Sequence, residues 1–170
     1  GCLPPMWGLG HKYRTHSNAD AAEVRSLAQS FRARGIPCDM FGLEPGWQTH
    51  AYSCSFVWSP ERFPEPEVLA RELAADGFRL NLWEHAYIHP SSPLFGPLEN
   101  RSGDFLVWGG LVVDFGDPQA FGLYSQYHDA EFIQHGITGF KADECDRQPI
   151  EDCTPFKCDF CWRCTEVCNT

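Results

Sequence analysis

No stretch of the chain approaches about eighteen uninterrupted apolar residues, and its first residues show neither a basic start nor an apolar run. Nothing in it therefore reads as a membrane span or an export signal, and localisation stays open. Positive charge is scarce as well: 13 Lys and Arg against 23 Asp and Glu leave a net charge of −10. The cations are scattered rather than striped, which would repel a phosphate backbone and leaves no footprint for nucleic acid. A nucleotide-binding turn is also missing, since Gly8-Leu9-Gly10 lacks the third glycine and a helix start at the proper offset.

What is present fits one globular domain: 170 residues, 43% hydrophobic and 21% charged. The aromatic fraction of 14% would suit stacking on sugars, although filling a core is its commoner use. Cysteine divides the chain into two compositions. Cys2, Cys38, Cys54 and Cys145 are spread through the first 152 residues and read as packed thiols, whereas Cys153, Cys158, Cys161, Cys164 and Cys168 crowd the end.

A repeated grammar runs along residues 1–150. Ser17 and Asp20 resemble a capping box, and Val24, Leu27, Ala28 and Phe31 hold the spacing of one helical face, so a helix is expected over about 18–34. Gly35 stops it, and Ile36 to Leu43 reads as a buried strand finishing on Glu44. A second helix starts near Pro64 and Pro66 and stops at Gly77, with a strand from Phe78 to Trp83 finishing on Glu84. A third opens at Asp117-Pro118 and runs to Gly136, with a strand from Ile137 to Ala142 finishing on Asp143. Met6 to Tyr13 reads as the first strand of all.

Strand, helix, glycine, strand in repetition predicts an α/β fold with parallel strands, because tight hairpins cannot join parallel neighbours. Glu44, Glu84 and Asp143 all fall at strand carboxyl ends, the edge where parallel sheets build sites, so they are expected on one rim; the plain alternative is that each caps the following helix. Four strands are too few to close an eight-stranded barrel, which takes about 250 residues. Either the sheet is open or the chain holds part of a larger domain.

Several of these segments, in order, resemble glycoside hydrolase family 31. Phe140-Lys141-Ala142-Asp143-Glu144 is similar to the K-x-D segment that ends the fourth barrel strand of that family. Pro5 to Gly10, Phe31 to Asp39, Ser59 to Pro64, Gly77 to Trp83, and Val113-Asp114-Phe115 with Asp117-Pro118 resemble its earlier strands and helix entries in family order. The resemblance implies a partial (β/α)8 TIM barrel over residues 1–150, about four parallel strands with outer helices, from a retaining α-glycosidase without a cofactor. Asp143 would be the nucleophile that forms a covalent glycosyl-enzyme. Lys141, on the same side of its strand, would keep Asp143 anionic or bind a sugar hydroxyl, an interior ion pair being the alternative. Glu44 stands where many members carry a hydroxyl-gripping Asp. Trp83 would line the central subsite, Trp47 would add a second wall, and Glu84-His85 would mark a subgroup with its own specificity. Asp146, followed by Arg147, would take a supporting place in the substrate site. The family's second carboxyl group, the acid/base, comes from a later strand. The chain alone is therefore expected to bind sugar poorly and turn over little, and to self-associate through exposed barrel edges.

Two features resist this picture. His85 and His89 have the i, i+4 spacing of metal ligands on a helix, but Pro90 and the preceding strand argue against a helix, so no metal is expected there. Residues 151–170, an irregular tail in this reading, carry C-x2-C-x2-C-x3-C from Cys158 to Cys168, which fits iron–sulfur or zinc ligation. Asn169 replaces the customary Pro and no second motif exists, which counts against a cluster. A metal-binding module and a non-catalytic sugar-binding half barrel remain as alternatives.

Overall fold

A computed structural model describes residues 3–145. Asp146 and the Cys-rich segment 151–170 lie outside the described residues. Four short strands, β1 (Lys12–Arg14), β2 (Met40–Leu43), β3 (Arg79–Glu84) and β7 (Ile137–Ala142), form one sheet in the order β1-β2-β3-β7, all parallel. Strand order follows chain order without reversing, as in an arc of a barrel and unlike a doubly wound sheet. Between them run the helices α1 (Ala21–Ala33), α2 (Pro66–Ala75) and α4 (Pro118–Glu131).

α1 and α2 stop where their glycines were expected to stop them, whereas α4 ends earlier, at Glu131, and a turn of 3-10 helix (Ile133–His135) leads on to Gly136. Gly35, Gly77 and Gly136 take φ values of +64°, +78° and +95°. At each, the next residue returns its N–H to a carbonyl of the preceding turn: Ile36 to Phe31, Phe78 to Leu73 and Ile137 to Phe132. This closure satisfies carbonyls that the helix leaves open and turns the chain directly into the following strand. The first helix starts later than its predicted residue 18. Its N-cap is Asp20, whose carboxylate accepts from the Glu23 N–H at 2.8 Å. Ser17 lies outside the helix.

The core lies between the helices and one face of the sheet. Val24 and Ala28 of α1, Leu69 and Leu73 of α2, and Ala120 of α4 share a cluster with Phe41, Leu43, Leu80 and Leu82. All nine are at most 2% exposed. At about 25 cal/mol per Å² of apolar surface removed from water, the Val, Leu and Phe side chains each contribute roughly 1.5–3 kcal/mol and the alanines less, which makes this layer the main source of cohesion.

Two expectations are corrected. Met6–Leu9 is a turn of 3-10 helix, and the first strand is the short charged segment Lys12–Arg14 instead. Between β3 and α4 the sequence reading placed no structure, yet the chain builds a second sheet there. It comprises β4 (Tyr87–Ile88), β5 (Ser102–Val107) and β6 (Gly110–Val113), antiparallel in the order β4-β6-β5, with a short helix α3 (Phe95–Leu98) between β4 and β5. Trp108 and Gly109, with φ of +49° and +69°, turn β5 back into β6. Positive φ at both central residues matches the twist of a two-residue hairpin. Because β4 occupies residues 87–88, His85 and His89 share no helix.

Candidate active site

Side chains alternate across a strand, so each barrel-type strand offers one set of residues to the helices and the other to the opposite face. On that opposite face stand Lys12, Arg14, Asn81, Trp83 and Lys141, with no side chain at Gly42. Lys12 of β1 reaches over β2 and donates to the Asn81 side-chain carbonyl of β3. It can cross because Gly42 lies beneath: a Cβ there would sit 2.5 Å from the Lys12 Cε. Burial, and then the nearby Lys141 ammonium, lower the Lys12 pKa.

One layer closer to the carboxyl ends, four charges alternate. The Arg14 guanidinium donates from Nε and Nη2 to the two oxygens of Glu44 at 2.8 and 2.7 Å. Lys141 Nζ lies 3.8 Å from Glu44 Oε1 and 2.7 Å from Asp143 Oδ2. The strands place these groups by register, since Arg14 pairs with Gly42, two residues before Glu44, and Lys141 pairs with Trp83. Lys141 thus bridges two carboxylates borne on β2 and β7, passing over β3.

Asp143 has a second donor. The Trp83 indole N–H reaches Asp143 Oδ2 at 2.9 Å, and the Glu144 amide reaches Oδ1 at 3.1 Å. The Lys141 hydrogen bond, then the Trp83 indole, hold the Asp143 carboxyl below its usual range against the opposing effect of burial. The carboxylate is accordingly ionised near neutral pH while its side chain stays 39% exposed. An accessible anion with fixed donors on each oxygen can act as a nucleophile or as a grip for hydroxyls.

The expected site residues divide. Asp143, Lys141 and Glu44 come together as anticipated. Trp83 joins them through its edge, its indole N–H on Asp143 and its ring 2% exposed. Trp47 departs from the expectation: it is 1% exposed, packs against Trp58 and Phe132, and donates its indole N–H to the Trp83 carbonyl at 2.7 Å. It buttresses the backbone of Trp83 from inside the core. Glu84 departs too. One residue beyond Trp83, it points the other way, into the helix layer, where it meets the Tyr124 hydroxyl at 3.2 Å and His128 Nε2 at 3.1 Å. Its carboxylate ties β3 to α4 and does not reach the Asp143 cluster.

Sequence reasoning missed Arg14, Lys12 and Asn81, because the strand that carries the first two was placed too early. It also missed a group of rings at the rim: Tyr52 lies 5.3 Å from Trp83 and 5.1 Å from Trp108, and His85 lies 5.0 Å from Trp108. Burial pulls the His85 imidazole down to about 4, so this ring is neutral at ordinary pH.

Comparison with known proteins places this geometry. A family model described as the TIM-barrel domain of glycosyl hydrolases family 31 matches residues 1–165. The α-xylosidase XylQ of Lactiplantibacillus pentosus is 30% identical over 164 residues, covering 88% of this chain and 21% of that protein. A Flavobacterium johnsoniae dextranase of the same family, solved with glucose, superposes with a TM-score of 0.67 at 25% identity, over 82% of this chain and 19% of its own. A xylosidase from Aspergillus niger gives a TM-score of 0.68 at 20% identity, over 81% of this chain and 21% of its own, a likeness of fold. The chain spans about a fifth of the length of these relatives.

Proposed function

Since the chain belongs to glycoside hydrolase family 31, we propose that it carries the nucleophile side of a retaining α-glycosidase site, with Asp143 as the attacking group. The observation that carries this reading is the state of Asp143: ionised, accessible, and aimed by Lys141 and Trp83. An oxygen of Asp143 attacks the anomeric carbon, the bond from that carbon to the leaving oxygen breaks, and the leaving oxygen takes a proton from a second carboxyl group. A water molecule, losing its proton to that same group, then displaces Asp143 and restores the carboxylate.

The second carboxyl group should stand about 5–5.5 Å from the nucleophile. Glu44 is ill suited to it, because both its oxygens already accept from Arg14. Glu84 is turned away. The proton donor is thus assigned to residues outside those described, and hydrolysis of natural glycosides by residues 3–145 alone would be slow. Glu44 and Lys141 are assigned to sugar hydroxyls, Lys141 as donor and Glu44 as acceptor, with Asp146 retained as a supporting residue on resemblance alone. The substrate is an α-linked glycoside or oligosaccharide.

The test uses a reagent that needs no proton donor. An α-glucosyl fluoride bearing a second fluorine next to the ring oxygen has a leaving group that departs unprotonated and forms a long-lived ester. Incubation followed by peptide mass spectrometry should find the sugar on Asp143, and the Asp143→Asn variant should remain unlabelled. Labelling at another residue, or none with either the glucosyl reagent or its xylosyl counterpart, would refute the assignment.

A further inference from the structure

We propose that His50 and His89 form an acid-sensitive latch: face to face while uncharged, they hold the loop 49–57 against the turn that follows β4, and they release it once both take up a proton. The two rings stack with centroids 3.6 Å apart and planes 22° from parallel. His50 is exposed and His89 half-buried, so protons from solvent reach the pair. The latch is independent of the glycosidase reading, because it concerns how the rim is held and not what is cleaved there.

The hydrogen bonds around the pair fix its uncharged form. His50 Nδ1 faces the Ser53 carbonyl at 2.8 Å, which only accepts, so that nitrogen carries the hydrogen and Nε2 the lone pair. His89 is arranged the other way. The Ser91 amide donates to its Nδ1 at 3.1 Å and the Ser91 hydroxyl stands 2.7 Å from the same atom, so Nδ1 carries the lone pair and Nε2 the hydrogen. A second proton on His50 goes to Nε2 and leaves the Ser53 bond intact. On His89 it must take Nδ1, which ends the bond from the Ser91 amide. It also sets two like charges one stacking distance apart, and among the described residues no carboxylate pairs with either ring to offset the repulsion. Burial first, and then the charge of His50, lower the His89 pKa. The neutral ring therefore favours the closed latch above the unfolded value of about 6.5, and that contribution is lost as pH falls from there towards the lower folded value.

The loop has its own anchors at either side of the latch. The Thr49 amide closes its neck on the Val57 carbonyl at 2.9 Å, and Cys54 is joined to β4 through its amide on the Tyr87 carbonyl and its carbonyl under the His89 amide, both at 2.9 Å. Between those anchors the stretch 50–53 is held by the Ser55 amide on the His50 carbonyl at 2.9 Å, by the Ser53 hydroxyl on the Trp108 carbonyl at 3.5 Å and by the ring stack. It carries Tyr52, whose ring lies 5.3 Å from that of Trp83, the donor to Asp143. Opening the latch thus loosens the rim beside the nucleophile strand while β2 and β3 stay paired.

The experiment is amide hydrogen exchange on the 170-residue chain, read by mass spectrometry as protection relative to an unstructured chain, at about pH 7.5 and about pH 5. Peptides covering 49–57 and 88–92 should lose protection by roughly tenfold at the lower pH, while peptides from β2 and β3 keep theirs. His89→Gln, whose side-chain carbonyl can take the Ser91 amide, should abolish this loss. His50→Gln removes the repulsion but not the Ser91 bond, and should reduce the loss to roughly threefold. Neither side chain belongs to the core, so both variants should fold. Equal protection at both pH values in the unaltered chain, or an undiminished loss in His89→Gln, would overturn the latch. A loss shared equally by β2 and β3 would overturn it too, since that marks general unfolding.

Discussion

The Trp83 indole donates to Asp143 Oδ2 across 2.9 Å, so the end of β3 sets the orientation of the carboxylate at the end of β7. The donor ring is held in turn, because its own carbonyl accepts from the buried Trp47 indole. A side chain expected to line the sugar is thus also a donor to the proposed nucleophile.

Replacing Trp83 by Phe keeps most of the packing and removes the donor. A hydrogen bond to a charged group contributes about 1.5–3 kcal/mol, so the Asp143 pKa should rise and labelling by the glycosyl fluoride should slow. Carbon-detected NMR of the Asp143 carboxyl through an acid titration measures the first effect. The sign for stability follows: because the folded pKa is depressed, Asp143 stabilises the fold above its unfolded value of about 3.9, and that contribution disappears as pH falls through the lower folded value. An unchanged midpoint in Trp83→Phe would remove the Trp83 contribution.

Lys141→Met should raise the Asp143 pKa further than Trp83→Phe does, since the Lys141 hydrogen bond is the largest influence on it. The acid limb of the labelling rate should move to higher pH. Glu44 should be less disturbed, because Arg14 still holds both its oxygens. A pH profile identical to that of the unaltered chain would show that Lys141 does not govern the nucleophile.

Glu84 and His128 make a separate test of the outward pair. His128→Ala removes a partner from a carboxylate buried to 7% exposure and should cost about 1.5–3 kcal/mol in urea unfolding. Sugar labelling at Asp143 should persist in the folded fraction. Loss of labelling without loss of stability would return Glu84 to the site.

Self-association is the fourth expectation. Leu3, Met6 and Leu9 are 94%, 83% and 68% exposed, and Phe121 is 59% exposed. β1 and β7 each leave one edge unpaired among the described residues. Apolar surface and open edges favour association, so sedimentation should show oligomers at micromolar concentration. A monomer across that range would contradict it.

The outer half of the fold was legible because it follows the two simplest rules. Gly35, Gly77 and Gly136 mark helix ends where only a left-handed residue fits, and the apolar strands behind them pack on helices. The inner half was legible only in part, at Glu44, Lys141 and Asp143, and β1 shows why. Lys12 and Arg14 face an ionic lumen, so their strand carries no apolar run to announce it, while the apolar Met6 to Leu9 just upstream forms only a helical turn. Glu84 shows a further limit: counting acidic residues at strand ends ignores parity, and Trp83 and Glu84, being consecutive, could not both face the site. The β5–β6 hairpin left a trace at Trp108-Gly109-Gly110, without the Asn-Gly or Asp-Gly pair that makes such turns conspicuous.

Parity along the strands also divides what selection can alter. Leu80 and Leu82 hold β3 to its helices, whereas Asn81 between them accepts from Lys12 on the ionic face. Lys12 occupies the space over Gly42 as a flexible chain rather than as an interlocked apolar plug. Changes on this face therefore spend little of the cohesion stored on the other. A wall of this kind can change its polar face one alternate residue at a time, its heritable chemistry largely uncoupled from its capacity to fold.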